Sequence, residues 1–421
     1  MLSTLRNAWK IPDLRKRLIY TMMMIVIFRL GATIPVPGID KTKLAELFAS
    51  SGDGLIGFFN LMSGGSFKNF TIFALGISPY ITASIIMNLL QIAIPSLEAL
   101  AKEGEVGRKK MARYTRYGTV VLALIQGFGF SVGIFRNAFV SPGTLSIIVS
   151  VLTLTAGVAF LMYLGEKITE NGIGNGISLF IFAGIISRLP GGIITTVQKV
   201  QTGDVNILSV FMFLVVAVMV IVAVIYIQEG KRKIPVQYAK RVVGRKMYGG
   251  QSTHIPLKVN QAGVIPVIFA MSLLMFPITI AQFWPNSGFY FWIKNYMGVQ
   301  TVLYNVLYAI LIIFFTYFYT SVTFNPIEVS NNMKQNGGYI PGIRPGRPTS
   351  DYLSKTLTRI TLAGAVFLAA IAILPNIILA FGSLQIRFGG TSLLIAVGVS
   401  LETTKQIEAQ MMMRHYKGFL G

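Results

Sequence analysis

The residues GISPYITA at positions 76–83 and GVIPVIFA at positions 263–270 share the pattern Gly-x-x-Pro-x-Ile-x-Ala. A second pair, GISLFI at positions 176–181 and GTSLLI at positions 390–395, shares Gly-x-Ser-Leu-x-Ile. The members of each pair lie in opposite halves of the chain and follow the same order. This order predicts an internal repeat. The alternative is that the two short similarities arose by chance.

The chain around these segments is apolar and basic. Of its 421 residues, 53% are hydrophobic and 12% are charged, whereas a soluble domain carries about 25% charged residues. The 37 lysines and arginines outnumber the 15 acidic residues, which gives a net charge of +22. This composition excludes a disordered polar chain and disfavours a soluble nucleic-acid-binding protein. It is typical of an integral membrane protein.

Hydropathy predicts ten membrane-spanning helices, since a helix needs about 20 mainly apolar residues to cross the hydrocarbon core. Arg188 and Glu402 interrupt the fifth and the tenth apolar run. The predicted spans are 18–36, 70–94, 118–136, 145–164, 177–195, 207–228, 262–284, 302–323, 358–381 and 388–404.

The basic residues predict the orientation of these spans. Most lysines and arginines fall in the N-terminal segment, in the loops after spans two, four, six and eight, and at the C-terminus. Because basic loops stay on the cytoplasmic side, both termini are predicted to be cytoplasmic. We read the first span as a retained signal anchor, since its apolar run is too long for a cleaved signal peptide.

The repeat pairs span two with span seven and span five with span ten, as two halves of five spans require. We therefore predict halves at 1–206 and 207–421, with inverted topology because five is odd. The repeat aligns Ile81 with Ile268 and Ile181 with Ile395. Ile85 and Ile177 lie one helical turn from Ile81 and Ile181 on the same faces. These isoleucines either line a central apolar constriction or are ordinary core residues.

Several chemistries lack the residues that they need. The chain has no cysteine, and its two histidines, His254 and His415, lie far apart. We therefore predict no enzyme activity, metal or cofactor. The interiors of spans two, four, six, seven and eight contain no ionisable residue, which disfavours a secondary transporter with broken helices at an inverted-repeat interface. That transporter is the main alternative to a channel with an apolar gate.

Two loops, 229–261 and 325–355, are longer than most connections and rich in basic residues, glycine and proline. Positive-inside bias and contact with anionic lipids explain their charge. Their length and turn content favour docking of RNA phosphates or of an acidic protein surface.

Four stretches resemble the SecY family, and the resemblance runs in order from Trp9 to the C-terminus. They are ALGISPYITASIIMNLLQ at 74–91, GEKITENGIGNGIS at 165–178, QSTHIPLKVNQAG at 251–263 and PGIRPG at 341–346. The resemblance implies an all-α integral membrane channel of ten helices in two inverted pseudo-symmetric halves, with a short re-entrant plug. Such a channel passes secretory polypeptides across the bacterial cytoplasmic membrane and releases membrane-protein helices sideways into lipid.

The resemblance also implies roles for individual residues. Gln126 and Asn260 match positions at a lateral gate between spans two and three and spans seven and eight, where a weak interhelical hydrogen bond can open at low cost. The plug near 57–67 would include Gly57, Asn60, Ser63, Gly64 and Gly65. The pore ring would consist of Ile81, Ile85, Ile177, Ile181, Ile268 and Ile395.

The partners implied by the resemblance are the membrane subunits SecE and SecG, the SecA ATPase, the ribosome and a translocating polypeptide with a signal sequence. Anionic lipids are a further expected partner. SecA and the ribosome would dock on the two long loops, with Arg344 as the most critical residue. The other expected docking residues are Lys240, Arg241, Arg245 and Lys246.

Overall fold

The computed structural model describes a mainly helical chain with five short strands. The described residues are 2–50, 60, 63–141, 143–203, 205–238, 241–243, 246–248, 252–281, 284, 287–298, 301–381 and 390–417.

The helices, numbered in chain order, are α1 (Leu2–Lys10), α2 (Pro12–Gly31), α3 (Lys41–Ser50), α4 (Ser78–Ala93), α5 (Pro95–Lys102), α6 (Glu105–Gly133), α7 (Thr144–Asn171), α8 (Gly176–Ile186), α9 (Leu189–Gln201), α10 (Ile207–Glu229), α11 (Ile265–Ala281), α12 (Gly288–Tyr296), α13 (Val302–Thr323), α14 (Pro326–Gln335), α15 (Arg347–Phe381) and α16 (Gly390–Lys417). The strands are β1 (Lys231–Tyr238), β2 (Arg241–Val243), β3 (Lys246–Tyr248), β4 (Ser252–Lys258) and β5 (Gly338–Tyr339).

Each of the ten predicted spans contains a helix. In the described part of the chain, five helical stretches are long and apolar enough to cross a membrane, and the bent pair of α4 and α5 is a sixth. The five stretches are Thr144–Asn171, Gly176–Gln201, Ile207–Glu229, Val302–Gln335 and Arg347–Leu374. The other four predicted spans contain α2, α6, α11 and α16.

The helices of spans two and seven begin in the same way. Gly76 has a φ of +57° and α4 begins two residues later, while Gly263 has a φ of +62° and α11 begins two residues later. Glycine tolerates this left-handed conformation, which other residues adopt only at a cost. Residues 70 and 72–77 are turns and Thr71 forms a β-bridge with Pro35, so the prediction of helix from residue 70 was wrong at that end.

The packing order of the first five spans recurs in the second five. Helix α4 packs on α6 and α6 on α7, as α11 packs on α13 and α13 on α15. Between the two sets of spans, α4 contacts its repeat partner α11, and α8 contacts its repeat partner α16. Two pairs of helices that the repeat makes equivalent are thus in contact.

The helix of span two bends sharply at its end. Helices α4 and α5 meet at 102° across a break at Ile94. Helix α5 then packs against the start of α6, where a Cβ on Gly107 would overlap the carbonyl oxygen of Leu100. Glycine at this position allows the backbones of α5 and α6 to touch.

The two long loops form one folded unit, which we call the sheet domain. Strand β1 pairs antiparallel with β4 and with β5, in the order β4-β1-β5, although β5 comes from the second loop. A small core lies beneath this sheet and includes Ile234, Val236, Leu257, Ile340 and Leu353. The sequence predicted loops here, and the strands and their shared core are a correction to that prediction.

Candidate functional site

The six isoleucines lie on the four helices of these two contacting pairs. Ile81 and Ile85 are on α4, Ile268 is on α11 and Ile395 is on α16. Ile177 and Ile181 are on α8. Five of them are between 1% and 5% exposed, Ile177 is half-buried, and all belong to or pack against the same hydrophobic cluster. An apolar constriction and an ordinary core both require this burial, so the pore-ring role stays a prediction.

Close contact between α7 and α8 holds Ile177 in place. A Cβ on Gly176 would overlap the carbonyl oxygen of Gly165, and a Cβ on Gly165 would lie 2.6 Å from Cδ1 of Ile177. The side-chain oxygen of Asn175 accepts hydrogen bonds from the backbone N–H groups of Ile177 and Ser178 and caps α8. The glycines and asparagine of residues 165–178 therefore fix where α8 begins and how near it lies to α7.

The described part of the predicted plug is a compact turn held by hydrogen bonds. The Oδ1 atom of Asn60 accepts from the N–H of Lys68 at 3.0 Å. The Ser63 hydroxyl donates to the carbonyl oxygen of Asn60 at 3.3 Å and accepts from the N–H of Phe67 at 2.9 Å. Gly64 and Gly65 have φ values of +63° and +96°. Gly57 lies outside the described residues.

The plug turn rests against α8 and an aromatic cluster. A Cβ on Gly64 would lie 2.6 Å from the Cα atom of Gly184 on α8. The fully buried ring of Phe67 meets Phe130 and Phe135 edge-on, with ring centroids 5.2 Å apart in both pairs. The sequence prediction did not include Gly184. The signal that could have indicated it was the presence of a glycine inside an apolar helix.

Arg29 of α2 also contacts the plug turn, and the sequence prediction missed this role. Its Nη1 atom donates to the carbonyl oxygen of Gly64 at 3.3 Å. The available signal was a charged residue inside the first predicted span, because such residues in a membrane usually have a specific partner.

The two predicted gate residues are buried near α11. Gln126 on α6 is 6% exposed, and Asn260, which precedes α11, is 4% exposed. The Nδ2 atom of Asn260 donates to the carbonyl oxygen of Gly263 at 2.9 Å, within its own segment. The Oδ1 atom of Asn260 has no hydrogen-bond partner in the described structure. Asn260 thus stabilises the turn before α11, and its role as a gate residue stays a prediction.

Arg344 is exposed on a turn of the sheet domain between β5 and α15. The Thr349 hydroxyl donates to the carbonyl oxygen of Arg344 at 2.8 Å, and the Ser330 hydroxyl donates to that of Gly346 at 2.7 Å. These bonds hold the turn firmly, so the guanidinium of Arg344 is presented to solvent from a fixed backbone.

Two of the other predicted docking residues, Arg241 and Lys246, lie on the hairpin of β2 and β3. Arg241 pairs with Tyr248, and Lys246 pairs with Val243, in the backbone register of this hairpin. Lys240 and Arg245 lie outside the described residues. Three exposed basic residues on β1 were absent from the predicted docking set, although the same basic loop contained them: Lys231, Arg232 and Lys233.

One ion pair joins two helices of the first half. The guanidinium of Arg116 on α6 donates to Glu166 on α7, with both nitrogen–oxygen distances 2.8 Å. This hydrogen bond raises the pKa of Arg116. Among the described residues, no group of three histidine, cysteine, aspartate or glutamate side chains could hold a metal ion.

Sequence comparison finds relatives over the whole chain. A family model described as SecY matches residues 71–404. Proteins named protein translocase subunit SecY from Halalkalibacterium halodurans and Streptomyces coelicolor are each 48% identical over 433 and 437 residues, covering 100% of both chains. A protein of the same name from Thermotoga maritima is 43% identical over 430 residues, covering 100% of this chain and 98% of the relative.

Solved structures share the fold at lower identity. A protein-conducting channel matches with a TM-score of 0.68 and 21% identity, over 94% of this chain and 92% of that chain. The Sec61 chain of a canine ribosome–channel complex matches with a TM-score of 0.65 and 20% identity, over the same shares. The arrangement of helices described above is therefore the fold of these channels.

Proposed function

This chain belongs to the SecY family, and we propose that it forms a protein-conducting channel in the bacterial cytoplasmic membrane. The observation that carries the proposal is the meeting of α4 with α11 and of α8 with α16 around buried isoleucines. A chain in transit can have any sequence, so its conduit should lack specific binding groups. Branched apolar side chains suit such a conduit, because they pack around a varied chain and exclude water when it is empty.

Three of these four helices argue against the transporter alternative, whereas α16 carries Glu402. Helices α4, α8 and α11 contain no aspartate, glutamate, lysine or arginine. A secondary transporter needs such groups near the midplane to bind ions or relay protons. A channel for polypeptides does not.

Lateral release would occur where α4 and α6 face α11 and α13. Helix α11 contacts both α4 and α6, and separating these contacts would open the interior to lipid. An apolar segment of the passing chain could then leave sideways, because each buried CH₂ group contributes about 0.8 kcal/mol. Gln126 and Asn260 lie beside this boundary.

Energy and partners would come from outside the chain. In our proposal SecA or a translating ribosome binds the sheet domain through Arg344 and the neighbouring basic residues, and SecE and SecG complete the membrane complex. The chain itself would catalyse no reaction. The distribution of lysines and arginines supports cytoplasmic termini, and the packing of repeat partners supports a division of the channel into 1–206 and 207–421.

A stalled secretory precursor provides the direct test. We expect a photoreactive residue at Ile81 or Ile268 to crosslink to a precursor arrested in reconstituted vesicles. Val218 on the outward face of α10 is 59% exposed and provides the control. Crosslinking only at Val218, or solute uptake without polypeptide transport, would reject the channel in favour of another function.

A further inference from the structure

Arg29 is a charged residue near the end of a helix that is otherwise apolar for most of its second half. It is half-buried, and it forms no ion pair with an acidic residue in the described part of the chain. A guanidinium in this environment could simply reach toward the lipid headgroups, as long basic side chains do near helix ends. Its hydrogen bond to Gly64, 35 residues away, gives it a more specific role.

The carbonyl that accepts this hydrogen bond belongs to the plug turn. Gly64 and the following Gly65 both have positive φ values. Two such residues in succession turn the backbone sharply, and glycine makes this turn possible. The turn places the carbonyl oxygen of Gly64 toward α2 and leaves the Cα atom of Gly64 against α8.

Helices α2 and α8 together form a seat for this turn. The rings of Phe28 on α2 and Phe180 on α8 lie 4.9 Å apart between centroids. Arg29 directly follows Phe28, and Gly184 lies one helical turn after Phe180. The ring contact therefore holds in place the two residues that contact Gly64, Arg29 at its carbonyl oxygen and Gly184 at its Cα atom.

Glycine at position 184 sets the depth of the seat. A Cβ on Gly184 would lie 3.2 Å from the Cα atom of Gly64, which is closer than most such contacts. An added methyl group would push the turn outward. Removal of the Arg29 guanidinium would release it from the other side.

We propose that Arg29 and Gly184 form a latch that keeps the plug seated when no polypeptide is present. This inference rests on the proposed function, since it assigns the plug role to the turn at Gly64. Arg29 is a positioning residue in the latch: it supplies a charge-assisted hydrogen bond that must break before the turn can leave. The fully buried Phe67 holds the other end of the turn, so release at Gly64 would swing the turn about that ring.

The absence of cysteine from the chain permits a direct measurement. Ser66 of the same turn is 1% exposed, and its hydroxyl has no hydrogen-bond partner in the described structure. A single Ser66→Cys substitution therefore reports whether the turn is seated without removing a side-chain hydrogen bond. The purified complex is reconstituted in vesicles, and a membrane-impermeant maleimide is applied to the face that carries the plug. In this background we expect Arg29→Met to speed labelling about tenfold. This factor corresponds to a loss of about 1.4 kcal/mol of seating free energy, which is near the lower end of what a hydrogen bond with a charged group contributes.

Two matched controls separate the latch from general effects of charge or packing. Arg136→Met removes an exposed arginine at the same end of the first half, and it should leave labelling unchanged. Gly184→Ala should speed labelling without altering any charge. Gly191→Ala should not, because a Cβ there would meet nothing within 4 Å.

The unfolding temperature and precursor transport are measured on every variant. Faster labelling in Arg29→Met and Gly184→Ala at an unchanged unfolding temperature supports the latch. The latch is overturned if Arg29→Met leaves the labelling rate unchanged, or if Arg136→Met speeds labelling equally. If the Arg29→Met protein does not fold, an unchanged labelling rate in Gly184→Ala overturns the latch. Transport by the Ser66→Cys protein alone tests the channel function, so the latch can fail while the function stands.

Discussion

Gln237 and Tyr339 lie opposite each other in antiparallel register, and the Tyr339 hydroxyl donates to the Oε1 atom of Gln237 at 3.1 Å, across 102 positions of sequence. This contact joins β1 to β5 and so joins the two long loops. Lys231, Arg232 and Lys233 on β1 and Arg344 after β5 therefore belong to one folded domain. A partner that binds Arg344 would also meet residues of the first loop.

We expect Leu257→Ala to destabilise the sheet domain selectively. Leu257 on β4 is fully buried in the small core, and a leucine-to-alanine change in a core costs about 2–5 kcal/mol. Hydrogen exchange should rise in β1 and β4 and stay unchanged in α4 and α11. His254→Ala, an exposed position on the same strand, is the control, and equal effects of both changes would contradict this account of the domain.

Arg344→Glu should stop transport that is driven by SecA while leaving insertion of the protein in the membrane intact. The substitution reverses a charge on an exposed turn whose backbone is held by Thr349 and Ser330, so binding should weaken without unfolding. Transport of a precursor into vesicles and binding of SecA to those vesicles are the measurements. Arg136→Glu, outside the sheet domain, should leave both unchanged, and full transport by Arg344→Glu would exclude the docking role.

Ile395→Asn should hydrate the central constriction. The side chain is 1% exposed on α16, and a polar group there favours water in a narrow apolar passage. Ion leak through vesicles should increase, and precursors with weaker signal sequences should be accepted. Val218→Asn, on the outward face of α10, should have neither effect. An Ile395→Asn protein with normal leak and normal signal stringency would place this isoleucine in ordinary core packing.

Gly176→Ala should lower the unfolding temperature of the purified protein. The added Cβ would overlap the carbonyl oxygen of Gly165. The Cβ is bonded directly to the backbone of α8 and the carbonyl group is part of the backbone of α7, so α8 must move away from α7. Overpacking of this kind costs about 1–3 kcal/mol. Gly191→Ala is again the control. If both variants unfold at the same temperature as the parent, the close approach of α7 and α8 is not needed for stability.

The membrane helices could be predicted from the sequence because their signals are local. An apolar run of sufficient length marks each span, and the repeated Gly-x-x-Pro pattern marks the starts of α4 and α11. Hydropathy does not mark where each helix begins and ends. Phe70, Phe73, Ala74 and Leu75 are apolar and buried, so hydropathy alone extended the second span over residues 70–75. The left-handed Gly76 ends the turns before α4.

The sheet domain could not be predicted in the same way, because its signals are distant in sequence. Strand β5 has two residues and is stabilised by β1, far back in the chain. The contact of Arg29 with Gly64 is also distant and involves a carbonyl group, which leaves no trace in side-chain patterns. The repeat pairs indicated which helices contact each other, α4 with α11 and α8 with α16, whereas the pore-ring role of their isoleucines stays a prediction.

The overlap that a side chain at Gly107 would make with Leu100 has a mechanical consequence. Helix α5 continues from α4 and packs against α6, and α4 also packs against α6. Each of the three helices therefore contacts the other two. Moving α4 away from α6 would break their contacts with each other and with α5. In the proposed channel, lateral opening would therefore separate α4, α5 and α6 from α11 rather than from one another.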